Sequence, residues 1–390
     1  MEHLIATYRK LLHDTTTVFH RYMYDRINWS NRMLGIVGPR GVGKTTMLLQ
    51  YIKEQLDVDK SLYVTADDFY FSTHRLIELA DEYAKMGGKH LIIDEIHKHK
   101  EWSRELKLIY DYHPELQVIF SGSSVLDITK GATADLSRRA IVSYMQGLSW
   151  REYLQLFHGM ELPVYTLDDI VAHRVGLPAD VKPLPLFRHY LQQGYYPFAG
   201  EADYEVRLLG IINKTLEVDI PQYAEMNATM SRKLKQLLAI VAESVPFKPN
   251  MTTIGQTLGV SRNNVADYLL CIEEAGLVAQ LREGTGGIRG LGKVNKVYLD
   301  NTNLAYALAG GRTEVGNQRE TFFLNQMRVT QDVIASPYSD FQIGFRTFEI
   351  GGRKKGQKQI ANIPESYIVK DDIEFGYANI IPLWAFGLTY

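Results

Sequence analysis

Residues 33–38 read MLGIVG, a short apolar run closing on glycine, and run straight into Gly38-Pro39-Arg40-Gly41-Val42-Gly43-Lys44-Thr45-Thr46. The octet 38–45 fits G-x-x-x-x-G-K-[ST], and it sits between a strand-like run and TTMLLQYIKEQL, whose Met47, Leu48, Tyr51, Ile52 and Leu56 recur at helical spacing. Glycines there let the backbone wrap closely around phosphate oxygens, and the amides at a helix start present donors at the positive end of its dipole. The pattern predicts that residues 38–46 bind a nucleoside triphosphate. Lys44 would reach its β- and γ-phosphates and the Thr45 hydroxyl would ligate Mg2+, making ATP and Mg2+ the expected cofactors.

Working outward, SLYVTADD, HLIIDEIH and LQVIFSGSS are further strand-like runs, separated by helical stretches such as THRLIELADEYAKMG. Strands alternating with helices argue for a parallel α/β sheet over residues 1–150. The run His90-Leu-Ile-Ile-Asp94-Glu95 reads as a buried strand ending in two carboxylates. Beside a phosphate loop, Asp94 would hold Mg2+ and Glu95 would orient or deprotonate the attacking water. Ser121, with Ser123 second, ends the next strand and is a candidate hydrogen-bond donor to phosphate or water. Arg138 and Arg139 offer guanidinium groups, one of which can serve as an arginine finger. His97, Lys98 and His99 read as surface residues, because zinc needs three or four converging ligands and no cysteine or carboxylate cluster accompanies them.

The whole chain has 390 residues, a net charge of −2 and one cysteine, with 45% apolar and 23% charged residues. These values exclude a disordered chain, a fibre and a disulfide scaffold, and the lone Cys271 fits a reducing, cytoplasmic setting. No stretch approaches the roughly 20 apolar residues that span a bilayer, so no membrane partner is expected.

After residue 150 the pattern changes. Residues 151–228 read as a helical connector or lid with proline breaks. Residues 229–300 contain MTTIGQTLGVSRNNVADYLLCIEEAGLVAQL, a helix expected to be capped by Thr253, a turn at Gly259, and a second helix capped by Ser261. Two strands around a basic, glycine-rich turn follow. This is a winged-helix layout in which Arg262, Asn263 and Asn264 would meet base edges while Arg282, Arg289, Lys293 and Lys296 hold phosphates. Duplex DNA is therefore a candidate partner, opposed by Glu273 and Glu274 if they faced it.

GPRGVGKTT, LIIDEIHKHKEWSRELK, VIFSGSS, DLSRR and LSWREYL together resemble prokaryotic AAA-type ATPases that carry a C-terminal DUF4143 region. QGYYPF, LEVDIP and EIGGRKKGQKQI…IPLWAFGLTY extend that likeness over nearly the whole chain. Members typically carry Asp-Glu-Ile-Gln with a following tryptophan. Here His97 replaces the glutamine, and Trp102 is present. The resemblance implies an AAA-like P-loop core, a winged-helix segment and, over residues 301–390, an α/β domain like that of restriction nucleases. Within it Glu320, Asp340 and Glu349 would form a second, metal-holding site. The lysine expected two residues after Glu349 is Gly351, leaving Lys354 or Lys355 to stand in. AAA-like cores often assemble as rings, which adds a homo-oligomer or protein partner to the expectations.

Overall fold

The computed structural model describes residues 1–122, 136, 138–223, 228–244, 248–284, 293–309, 315–356 and 358–390. The chain divides into two compact units, Met1–Gly147 and Leu148–Tyr390.

The first unit runs α1 (Glu2–Asp14), β1 (Met33–Val37), α2 (Lys44–Gln55), β2 (Ser61–Thr65), α3 (Leu76–Lys85), β3 (His90–Asp94), α4 (Trp102–Tyr112), β4 (Gln117–Gly122) and β5 (Ile141–Tyr144). The five strands form one sheet in the order β2-β3-β4-β1-β5. Every pairing in it is parallel. All five residues of β1 are buried, as the continuous apolar run MLGIV requires of a strand covered on both faces. Register places Val37 opposite Gly122, and Ile93 opposite Phe120. The tips of β1, β3 and β4 therefore end together at the carboxyl edge of the sheet, where open α/β sheets place their ligands.

The second unit opens with helices: α5 (Trp150–His158), α6 (Leu167–Val171), α7 (Pro183–Gln193) and α8 (Tyr204–Lys214). Helix α8 continues through a π-helical stretch, Thr215–Asp219, into α9 (Ile220–Tyr223). The prolines of the expected connector start elements as well as break them: Pro183 is the first residue of α7, where its missing N–H costs nothing. Trp150 packs against Phe187 and Tyr190 with ring centroids 5.5 Å away in each case, and Phe187 meets Phe322 at 4.8 Å. These rings lie in the core of the unit.

Next come α10 (Ala228–Ser244), α11 (Met251–Leu258) and α12 (Arg262–Glu274), then the antiparallel hairpin β6 (Val278–Arg282) and β7 (Val294–Leu299). Asn250, not Thr253, caps α11: its side chain accepts from the Thr252 and Thr253 amides. Asparagine ranks above threonine as an N-cap, and the helix ends at Gly259 in the left-handed conformation. Ser261 caps α12 as expected, accepting from the Asn264 amide, and Val265, Tyr268, Leu269 and Ile272 form its buried face. Helices α13 (Thr302–Ala309) and α14 (Val315–Met327) precede a second sheet. Its strands are β8 (Val333–Ala335), β9 (Phe341–Ile343), β10 (Arg346–Gly351), β11 (Ser366–Lys370) and β12 (Ile380–Pro382), in the order β12-β11-β10-β9-β8. Strands β10, β11 and β12 are parallel, and β8 and β9 run antiparallel at one edge. Among the described residues no helix is long and apolar enough to cross a membrane.

Candidate functional site

The loop between β1 and α2 is shaped by its glycines. A Cβ on Gly38 would lie 2.2 Å from the Met145 carbonyl oxygen, so only glycine fits where the chain leaves β1 against the strand-β5 exit. Gly43 has φ +98° and turns the chain into α2. The first turn of that helix leaves amides without intrahelical acceptors at its positive end. Arg21, which motif reading does not find because it lies far upstream, clamps the loop from beneath. Its guanidinium donates to the Val42 carbonyl and, at 2.8 Å each, to the Gln146 and Gly147 carbonyls. Pro39 and Val42 are buried, while Gly41, Thr45 and Thr46 are exposed.

Lys44 is 5% exposed, and its ammonium donates to the carbonyls of Gly38 and Pro39, both at 2.8 Å. The Thr45 hydroxyl donates to Asp94 Oδ2 over 2.6 Å. Asp94 is the meeting point of the site. Its Oδ2 also accepts from the Tyr63 hydroxyl at 2.7 Å, and its Oδ1 accepts from Ser121 Oγ and from the Glu95 amide at 3.0 Å. The expected members Lys44, Thr45, Asp94, Glu95 and Ser121 are thus brought to one edge of the sheet. Tyr63 joins them unannounced, because an aromatic residue in a buried strand reads as core. Burial first, then the Asp94 charge and the hydrogen bond to it, push the Tyr63 hydroxyl far above its ordinary pKa, so it stays a donor.

Glu95 follows the strand tip in the left-handed region, φ +50°, a conformation uncommon for a non-glycine residue and concentrated at functional turns. Its Oε2 lies 3.5 Å from Arg40 of the loop and 3.4 Å from His97 Nε2. The surface reading of His97 is overturned: it is 6% exposed, folded inward by the 3-10 turn Ile96–Lys98. His99 is partnered too, at 3.2 Å from the buried Glu105.

Arg138 is exposed in the turn before β5. Arg139 is held in a bidentate pair by Asp111 of α4, both contacts 2.9 Å. Ser123 lies outside the described residues.

In the second unit, Arg262, Asn263 and Asn264 are exposed at the start of α12. The expected phosphate-holding role of the hairpin cations does not survive for two of them. Arg282 pairs with Glu273 at 3.3 Å, and Lys296 sits 3.0 Å from both Glu320 and Asp340. Glu273 faces the hairpin, accepting from the Gln280 amide and side chain at 2.7 Å each, so it opposes nothing outside. Lys293 is exposed, and Arg289 lies outside the described residues. Glu320 and Asp340 are brought together, but through a lysine. Glu349, 2% exposed, pairs with Lys355 rather than Lys354. Among the described residues no three histidine, cysteine, aspartate or glutamate side chains converge on a common metal position, so the expected metal-holding triad is not assembled.

Residues 30–154 match the family model of an AAA domain. Residues 184–315 match a different model, Domain of unknown function (DUF8612), in place of the DUF4143 region that the resemblance implied. No curated protein matches the chain. Solved structures similar to part of it include C. elegans PCH-2, at 13% identity over 70% of this chain and 66% of that one, with a TM-score of 0.26. The S. cerevisiae Hsp104-ADP complex matches at 16% identity over 69% of this chain and 41% of that one, TM-score 0.33. AMPPCP-bound DnaA from Aquifex aeolicus matches at 14% identity over 69% and 86%, TM-score 0.24. The chain thus spans less than two thirds of the first two.

Proposed function

We propose that this chain is a Mg2+-dependent ATPase of the AAA type. The observation that carries the reading is the joining of Thr45 to Asp94 across the strand tip, with Lys44 folded onto the neck of a glycine-shaped loop. The donor set fits a magnesium-bound triphosphate: an ammonium, a hydroxyl and a carboxylate beside backbone that closes against β5. When bound, Mg2+ would neutralise charge on the phosphate oxygens. Lys44 would exchange the Gly38 and Pro39 carbonyls for phosphate oxygens, keeping its donors satisfied in both states. Thr45 and Asp94 would hold the metal, and Ser121 and Tyr63 would keep the Asp94 carboxylate aimed. Glu95 would take the proton of the attacking water, with Arg40 and His97 setting where its carboxylate stands. Phosphate release from ATP tests this. Lys44→Ala and Glu95→Gln both abolish it, and Glu95→Gln still binds ATP; normal turnover by Lys44→Ala ends the assignment.

A second reading rests on the exposed Arg262-Asn263-Asn264 edge of α12. We read α11, α12 and the β6–β7 hairpin as a winged-helix segment that contacts duplex DNA through that edge, with the nucleotide state as its gate. Retarded migration of duplex DNA that requires ATP but tolerates Glu95→Gln would favour it.

A further inference from the structure

Three carboxylates of the second unit lie near the carboxyl end of β10 without converging on one point. Glu320 projects from α14, Asp340 precedes β9, and Glu349 belongs to β10. Asp340 is tied to β10 because its Oδ2 accepts from the Ile350 amide at 3.0 Å. Such a group, partly buried, accumulates negative charge that must be balanced. A divalent cation is one way to balance it. This chain does it otherwise.

Lys296, on β7, reaches Glu320 Oε2 and Asp340 Oδ1 at 3.0 Å each, a single ammonium bridging two carboxylates. Tyr298, two residues along and on the same face of the strand, donates to Glu320 Oε2 at 2.7 Å. Lys355 supplies the third charge. It pairs with Glu349 Oε1 and lies over Gly351, where a Cβ would come within 2.6 Å of the lysine's own Cβ and Cγ. The side chain missing at Gly351 makes the room that Lys355 fills. Among the described residues the other Glu349 oxygen, Oε2, is buried without a hydrogen-bond partner. Burial works against the charge on Lys296, but Glu320 and Asp340 more than offset it, so its pKa is raised and it remains an ammonium.

We propose that Lys296 is the resident cation of this carboxylate cluster: its ammonium stands between Glu320 and Asp340 where a divalent metal ion would otherwise bridge them, and with Lys355 on Glu349 it closes the cluster to metal. The second unit then does no metal-dependent hydrolysis at this place, and Lys296 is the residue that decides it. The phosphate loop plays no part in this inference.

Mn2+ titration of the full, nucleotide-free chain, followed by loss of the free-ion electron paramagnetic resonance signal, tests the proposal. Wild type and Glu320→Gln bind Mn2+ alike. Lys296→Met gains one ion per chain, at least about tenfold tighter than any wild-type binding, and Lys296→Met with Glu320→Gln loses that gain. Circular dichroism checks the fold, and Lys296→Gln, which retains a hydrogen-bond donor, replaces Lys296→Met if the latter does not fold. A wild-type Mn2+ site that disappears in Glu320→Gln overturns the proposal, as does a folded Lys296 variant that gains no ion. The comparison of wild type with Glu320→Gln decides the first point whatever the Lys296 variants do.

Discussion

The Tyr63 hydroxyl donates to Asp94 Oδ2 across 2.7 Å, so the tip of β3 is anchored by the neighbouring strand β2. The same oxygen accepts from Thr45. Hydroxyls from two sides hold this carboxylate, so under the proposed function a metal would meet an oriented ligand. Tyr63→Phe removes one donor and leaves the packing. A hydrogen bond of this kind contributes about 1 kcal/mol, so ATP affinity in the presence of Mg2+ falls about fivefold while affinity without Mg2+ is unchanged. Calorimetry with and without the metal reads the difference.

Gly38→Ala places a methyl group 2.2 Å from the Met145 carbonyl oxygen, which is backbone and has no easy retreat. The variant loses about 3 kcal/mol of stability or more, and its nucleotide binding falls further than its stability, because the loop itself must move. Denaturant unfolding followed beside equilibrium binding separates the two effects. Wild-type stability and affinity in Gly38→Ala would contradict the close approach.

Glu105 gives the first unit an acid-sensitive tie. Burial raises its pKa, but hydrogen bonds from His99, the Ile77 amide and Arg75 more than offset that, and the net direction is down from 4.5. A carboxylate whose pKa is depressed by folding adds stability that is complete above its unfolded pKa and is lost as pH falls through the folded one. Glu105→Gln is therefore less stable than wild type at pH 7, by roughly 1–3 kcal/mol, and the gap narrows as pH falls below about 4.5. Urea midpoints between pH 3 and pH 7 measure it.

Pairing between α12 and the hairpin separates cations that are exposed from those already engaged. Arg262 is exposed, whereas Arg282 is held by Glu273. If duplex DNA binds at α12, Arg262→Ala weakens it and lowers the salt slope by about 1, while Arg282→Ala leaves both nearly unchanged. Titrations of labelled duplex at several salt concentrations distinguish the two variants.

What was legible in the sequence was local. The glycine loop, the apolar strand ending in Asp94-Glu95 and the Ser261-capped helix each declare themselves within a dozen residues, since each depends on φ, on cap chemistry or on short periodicity. What escaped depends on distant partners. Arg21 is an ordinary upstream arginine until the chain brings Val42 and Gln146 to it. His97 looks like part of a charged surface run until a 3-10 turn folds it under Glu95. Lys296 reads as one cation of a basic hairpin until Glu320 and Asp340, tens of residues later, claim its ammonium. Charges read along a chain default to solvent, and only tertiary pairing shows which of them are spent.

The central claim is that the loop 38–46 grips a triphosphate together with Mg2+. Calorimetric titration of the full chain with a non-hydrolysable ATP analogue and Mg2+ tests it most directly. Saturable binding of one nucleotide per chain is expected, weakened at least about tenfold in a folded Lys44→Ala variant. No heat of association in the wild type, or equal affinity in Lys44→Ala, would contradict it.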